Sequence, residues 1–195
     1  MGSRAPHQLD DKGLYSYGRS FALLGDLQRD QGAIHGPLSA RHSYLTARGM
    51  FTELDIPRRV AQIEPSLAVV QEMPGELESS ARHYAILAGD QRLSPRDRAR
   101  ARLWVGTALS KEGDNEYATD AMTAATRAFE DLGEPEDWSV AHQKLGLAHR
   151  GAGDLKHALH YIDIAHHRHG RLPDAADEAG HRVRAHPSVG CGDPE

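Results

Sequence analysis

The sequence predicts an all-α fold, a solenoid of antiparallel helix hairpins with about four repeats. Three observations carry this expectation. Seven positions recur at an offset of 40: Ala101/Ala141, Gly106/Gly146, Ala108/Ala148, Gly113/Gly153, Asp114/Asp154, Ala118/Ala158 and Ala125/Ala165. Coincidence does not place so many small residues at one offset within a 25-residue window. Each Gly-Asp pair then reads as a helix stop followed by a helix start, with glycine as the left-handed residue and aspartate as the cap. Finally, aromatic residues make up only 6% of the chain, so Ala and Leu must fill the core, as closely packed helices require.

The elements follow in chain order. Met1-Gly2-Ser3-Arg4-Ala5-Pro6 lacks a hydrophobic signal core, and residues 1–12 are expected to be a flexible tail. The repeat domain spans residues 13–170. In the first hairpin, Gly25 and Gly32 repeat the spacing of Gly106 and Gly113, and Phe51 aligns with Phe129 at a separation of 78, close to two repeats. The second hairpin turns at Met73-Pro74-Gly75 and is the least regular. Pro65 removes a backbone donor there, so either a kink or a helix starting near Glu64 is expected. Ser94-Pro95-Arg96-Asp97 is a clean start signal: a cap, a proline at the first helical position and an acid.

The third hairpin pairs Ala99–Glu112 with Asn115–Leu132, and the fourth pairs Trp138–Ala152 with Leu155–His169. Gly133-Glu134-Pro135 separates them. Gly106 sits inside a helix, where it costs about 1 kcal/mol relative to Ala. A close helix crossing at that point explains its presence. Residues 171–195 are expected to form a marginal capping helix opened by Leu172-Pro173-Asp174, then a Gly/Pro-rich disordered tail.

The 195 residues suffice for one domain with a substantial core. A net charge of -5 argues against a whole-surface nucleic-acid binder, so no direct nucleic-acid contact is expected. Cys191 is the single cysteine, which rules out an internal disulfide and suits a reducing cytoplasm. There is no apolar run long enough for a membrane span.

The Gly106, Gly113, Ala118 and Ala125 set, with Gly146, Gly153, Ala158 and Ala165, resembles the tetratricopeptide repeat. The resemblance covers residues 14–169 and implies a right-handed superhelix that binds proteins or peptides. Two departures stand out. The period is 40 rather than the family's usual 34, and Arg102 and His142 replace an aromatic at the fourth position. Ile56-Pro57-Arg58-Arg59-Val60-Ala61 and Glu134-Pro135-Glu136-Asp137-Trp138 resemble the sensor region of actinobacterial helix-turn-helix transcriptional regulators.

The tetratricopeptide resemblance implies a concave groove lined by the first helix of each hairpin. In the first it maps to Arg19, Ala22, Asp26, Arg29 and Asp30, and in the second to Val60, Ile63, Leu67, Val70 and Gln71. The third contributes Arg100, Leu103, Thr107, Ser110 and Lys111, and the fourth Val140, Gln143, Leu147, Arg150 and Gly151. Apolar patches flanked by charges of both signs suit an extended or helical peptide. The competing explanation is that several of these apolar residues pack against the next unit. The Lys/Asn set with which chaperone adaptors grip a terminal carboxylate is missing at these positions.

His157 and His160 lie three apart on one helix and offer half of a metal site. No Cys pair or His-Glu-x-x-His supplies the rest, so exposed, weakly basic residues are the favoured reading and no metal or cofactor is expected. The run Arg92, Arg96, Arg98, Arg100 and Arg102 could meet phosphate, but more often such a run is a solvated face whose stems cover apolar surface. Phosphate-loop, nucleophile-elbow and dinucleotide motifs are absent. The expected function is therefore non-enzymatic: a protein- or peptide-binding module of a bacterial regulatory system. A small-molecule sensor with a pocket near Ile63, Leu67 and Leu103 is the alternative, and a helical-repeat enzyme or metal protein using the His-rich last helix is the least favoured. The exposed face of the last repeat, with Leu159, Tyr161 and Ile162, is expected to meet another copy of the chain.

Overall fold

The computed structural model describes residues 10–169, the side chains of residues 167–169 excepted. The proposed capping helix and most of the N-terminal tail lie outside the described residues. Eight helices run through the described chain: α1 (Asp11–Asp30), α2 (Ala40–Glu53), α3 (Pro57–Glu72), α4 (Leu77–Ala88), α5 (Pro95–Glu112), α6 (Asn115–Asp131), α7 (Pro135–Gly151) and α8 (Leu155–His169). They pair as four hairpins, and each helix packs mainly on its neighbours in sequence. None is long and apolar enough to cross a membrane.

Local chemistry sets the helix ends. Asp10 caps α1 by accepting the Gly13 N–H, and Ser39 caps α2 by accepting the His42 N–H. At α5, Ser94 accepts the Asp97 N–H while its own hydroxyl donates to the Asp97 carboxylate at 2.7 Å. The α5–α6 turn needs Gly113, whose φ of 101° lies in the left-handed region. Helix α5 starts at Pro95, where the Ser94-Pro95 signal puts it, and α7 starts at Pro135, before the Trp138 start expected of it. Proline at the first position sets φ there without losing a helical hydrogen bond.

Helix α3 decides between the two alternatives for Pro65. It begins at Pro57 rather than near Glu64 and carries Pro65 in its interior. Ala61, Ile63, Ala68 and Val70 are buried on both sides of the proline. Packing over both halves holds the helix together despite the missing donor. Helix α4 is the shortest, with 12 residues and no side-chain cap, in keeping with an irregular second repeat.

Gly106 meets the close crossing anticipated for it. A Cβ there would lie 2.7 Å from the Ala118 carbonyl oxygen and 2.6 Å from Met122 Cγ. Gly146 repeats this contact one unit later, 3.0 Å from the Ala158 carbonyl oxygen. Among the described residues the core falls into three clusters along the stack. One holds Tyr44, Phe51 and Ile63, a second Tyr84, Leu87 and Ala101, and a third Leu103, Met122, Phe129 and Leu145. Phe51 and Phe129, aligned in sequence, fill corresponding places in the first and last clusters. Each repeat thus buries its apolar face only against its neighbours, as a solenoid does.

Candidate functional site

The first helices of three hairpins, α1, α3 and α5, line one half-open cavity of about 410 Å³. Helix α1 gives Arg19, Ala22, Leu23 and Asp26; α3 gives Arg59, Gln62, Ile63 and Ser66; α5 gives Asp97, Arg100, Ala101 and Trp104. Tyr44 and Phe51 from α2 also reach it. Apolar side chains and charges of both signs therefore share one concavity. Leu23 stands on its wall with 64% of its surface exposed.

Several polar contacts hold these walls. Tyr44 donates its hydroxyl to Asp26 at 2.7 Å, and Arg29 lies 3.3 Å from the same carboxylate oxygen. Burial, then the Asp26 hydrogen bond, pushes the Tyr44 phenol well above its ordinary range, so it stays a neutral donor. Arg59 donates to the Tyr15 hydroxyl at 2.7 Å and to Gln62 at 2.9 Å. Trp104 continues the groove toward α7, where the Lys144 ammonium sits 5.2 Å from its ring centre. Burial lowers the Lys144 pKa, and nearby Lys111 adds to the effect. Glu72, only 7% exposed, accepts from both the Tyr84 hydroxyl and the Lys111 ammonium and ties α3 to α4 and α5.

Of the groove residues implied by the family resemblance, Arg19, Ala22, Asp26, Ile63 and Arg100 come together at this cavity. Arg29 lies beside it, pairing with Asp26 and Asp30. The others fall elsewhere. Leu103 is buried with Met122 and Phe129, and Thr107 is buried with its hydroxyl donating to the Leu103 carbonyl at 3.0 Å. Neither is open to a ligand. Leu67, Val70 and Gln71 line a separate cavity of about 370 Å³ with Arg48, Glu64 and His83, so Ile63, Leu67 and Leu103 share no pocket. Lys111 is committed to Glu72. Gln143, Leu147 and Arg150 lie on α7 beyond the cavity; Gln143 is half-buried, and the other two are exposed.

Arg59, Gln62, Ser66, Asp97 and Trp104 also line the cavity, outside the positions the resemblance implies. On α3 and α5 the open face is rotated by about one residue, roughly 100°, from the implied one. The half-buried Trp104 was the available signal, because a large aromatic one residue after Leu103 marks a different face.

The arginine run is largely engaged within the fold. Asp137 of α7 takes Arg96 at 2.6 Å and Arg100 at 2.9 Å, Arg92 pairs with Asp90 at 2.7 Å, and Arg98 donates to the Leu93 carbonyl at 2.7 Å. At the end of the stack Leu155 and Leu159 are exposed. Ile162 instead packs on Gly146, and Tyr161 stacks on His149, so these two do not form the outward face expected of them. His157 meets His149 and Asp154, whereas His160 is exposed and makes a tilted ring contact with Tyr161.

This architecture is that of a tetratricopeptide-like helical repeat. Over 97% of the chain the fold is similar to BtubC (BKLC) from P. vanneervenii, at a TM-score of 0.66 and 21% identity, covering 75% of that chain. MamA protein aligns at a TM-score of 0.46 and 15% identity, over 89% of this chain and 99% of that one. No family model and no curated protein matches the sequence.

Proposed function

We propose that the chain is a non-enzymatic binding module that holds a peptide segment of a partner protein in the groove between α1, α3 and α5. The observation that carries this reading is the composition of the groove. Trp104 and the exposed Leu23 offer apolar contact beside the buried Ile63, and Arg19, Asp26, Asp97 and Arg100 surround them. A short extended or helical segment with one or two apolar anchors and flanking charges fits such a surface. The resemblance to bacterial regulators suggests a regulatory setting for that partner.

Affinity capture from the native cell extract tests the reading. The wild type is compared with an Arg19→Glu, Leu23→Glu variant whose helicity is checked by circular dichroism. The reading expects a captured protein to be lost with the variant, and capture that is unchanged moves the site elsewhere. A small-molecule sensor is the second reading, favoured by a cavity volume inside the range for small ligands. A compound that stabilises the chain and is displaced by no peptide would support it. Self-association through the exposed Leu155 and Leu159 is a further reading, and light scattering that gives a strict monomer at high concentration would end it.

A further inference from the structure

Three ligating side chains converge at the turn between α7 and α8. His149 lies in the last turn of α7, Asp154 precedes α8 as its cap, and His157 lies in the first turn of α8. One ring nitrogen from each histidine and one carboxylate oxygen all lie within 4.8 Å of one another. Asp154 Oδ2 is the meeting point, 2.6 Å from His157 Nδ1 and 3.5 Å from His149 Nδ1. The other carboxylate oxygen accepts the His157 backbone N–H at 3.2 Å. The His149 ring is held by stacking on Tyr161, with centroids 5.2 Å apart and planes 21° apart.

The repeat supplies its own comparison. In the α5–α6 turn the Asp114 N–H donates to the Leu109 carbonyl at 3.0 Å, and in the α7–α8 turn the Asp154 N–H donates to the His149 carbonyl at 2.9 Å. At the offset of 40, Leu109 and Tyr117 stand where the last repeat has His149 and His157. The turn is therefore built without histidine in one repeat, and in the next both positions become imidazoles facing one carboxylate. Capping needs the aspartate alone, so it leaves His149 unexplained.

We propose that His149, Asp154 and His157 form a binding site for a divalent transition-metal ion of the zinc class. Two neutral imidazoles and a carboxylate match the ligand preference of zinc, and three protein ligands leave a fourth position open. Calcium and magnesium favour all-oxygen sets. Tetrahedral zinc with bonds of about 2.0–2.2 Å places its ligand atoms about 3.4 Å apart. The His149–Asp154 separation already meets this, and the His157–Asp154 pair must open by less than about 1 Å. The ion takes the place of the direct contact between His157 and Asp154 and pins α7 to α8. The side chains of Asp154 and His157 are 40% and 55% exposed, so water or a partner's side chain can reach the open position.

The full chain, prepared without a histidine tag, is titrated with Zn²⁺ against a chromophoric chelator, and with Co²⁺ followed by its absorption spectrum. One ion per chain is expected. Replacing His149→Leu with His157→Tyr restores the residues of the preceding repeat. It should weaken binding by more than the roughly 10–100-fold that loss of an outer-shell partner costs. Asp154→Asn keeps a capping residue and should also abolish tight binding, so it decides the matter if the double variant does not fold. His160→Gln should bind as the wild type does. The proposal is overturned by wild-type binding below one equivalent, by tight binding that survives in the variants, or by loss of binding in His160→Gln.

Discussion

Replacing Gly106 with alanine places a methyl group 2.7 Å from the Ala118 carbonyl oxygen and 2.6 Å from Met122 Cγ. The Met122 side chain can rotate away. The carbonyl belongs to the α6 backbone and moves only if the whole helix shifts. Gly49, also inside a helix, has nothing within 4 Å of its added methyl and serves as the control. Alanine gains about 1 kcal/mol of helix propensity at either site. At Gly106 overpacking opposes this gain by about 1–3 kcal/mol, and a backbone contact places it in the upper part of that range. Gly106→Ala should therefore destabilise by about 1–2 kcal/mol and lower the thermal midpoint by roughly 2–8 °C, whereas Gly49→Ala should raise it by roughly 2–4 °C. Scanning calorimetry of the two variants beside the wild type gives the comparison. If Gly106→Ala melts as high as Gly49→Ala, the close crossing of α5 and α6 is not what selects glycine there.

Two further substitutions probe the polar ties between helices. The His83 hydrogen bond, supported by Arg48, holds the Glu64 carboxyl below its ordinary value of 4.5, against the opposing effect of burial. A depressed folded-state pKa adds stability that is fully present above the unfolded value and lost as pH falls through the folded one. Urea unfolding of Glu64→Gln should therefore lose less stability than the wild type between about pH 6 and pH 3, and parallel curves would contradict this. Asp137→Asn weakens the contacts to Arg96 and Arg100 that join α5 to α7. With both arginines part-exposed, a cost of about 1 kcal/mol is expected in urea unfolding, and no measurable cost would show that these contacts are neutral.

The repeat was legible because small residues report on backbone proximity. Gly106 and Gly146 mark crossings that a side chain would block, and Gly113 and Gly153 mark left-handed turn positions, whereas of the two expected caps Asp154 accepts a backbone N–H and Asp114 does not. Phe51 could be aligned with Phe129 because both plug the core, at 2% and 0% exposure. Helix α3 was harder to read, because Pro65 breaks a local rule and only packing from α2 and α4 overrides it. Of the implied positions, the cavity takes in Arg19, Ala22 and Asp26 on α1 but only Arg100 on α5, where a rotation of one residue exchanges a buried face for an open one. Arg100 with Asp137, Lys111 with Glu72 and His149 with His157 are partners across helices. Periodicity within one helix carries no information about such pairs. The departure of His149 and His157 from Leu109 and Tyr117 was the one trace of the last pair in the sequence.

The groove between α1, α3 and α5 is proposed to hold a partner segment. Site-specific photo-crosslinking in the native extract tests it most directly, with the crosslinker at Leu23 on the groove wall or at Ile86, 71% exposed on α4 and away from the cavity. A discrete crosslinked protein is expected from position 23, absent from position 86 and lost when Arg19→Glu is added. Crosslinking from position 86 with none from position 23 would contradict it.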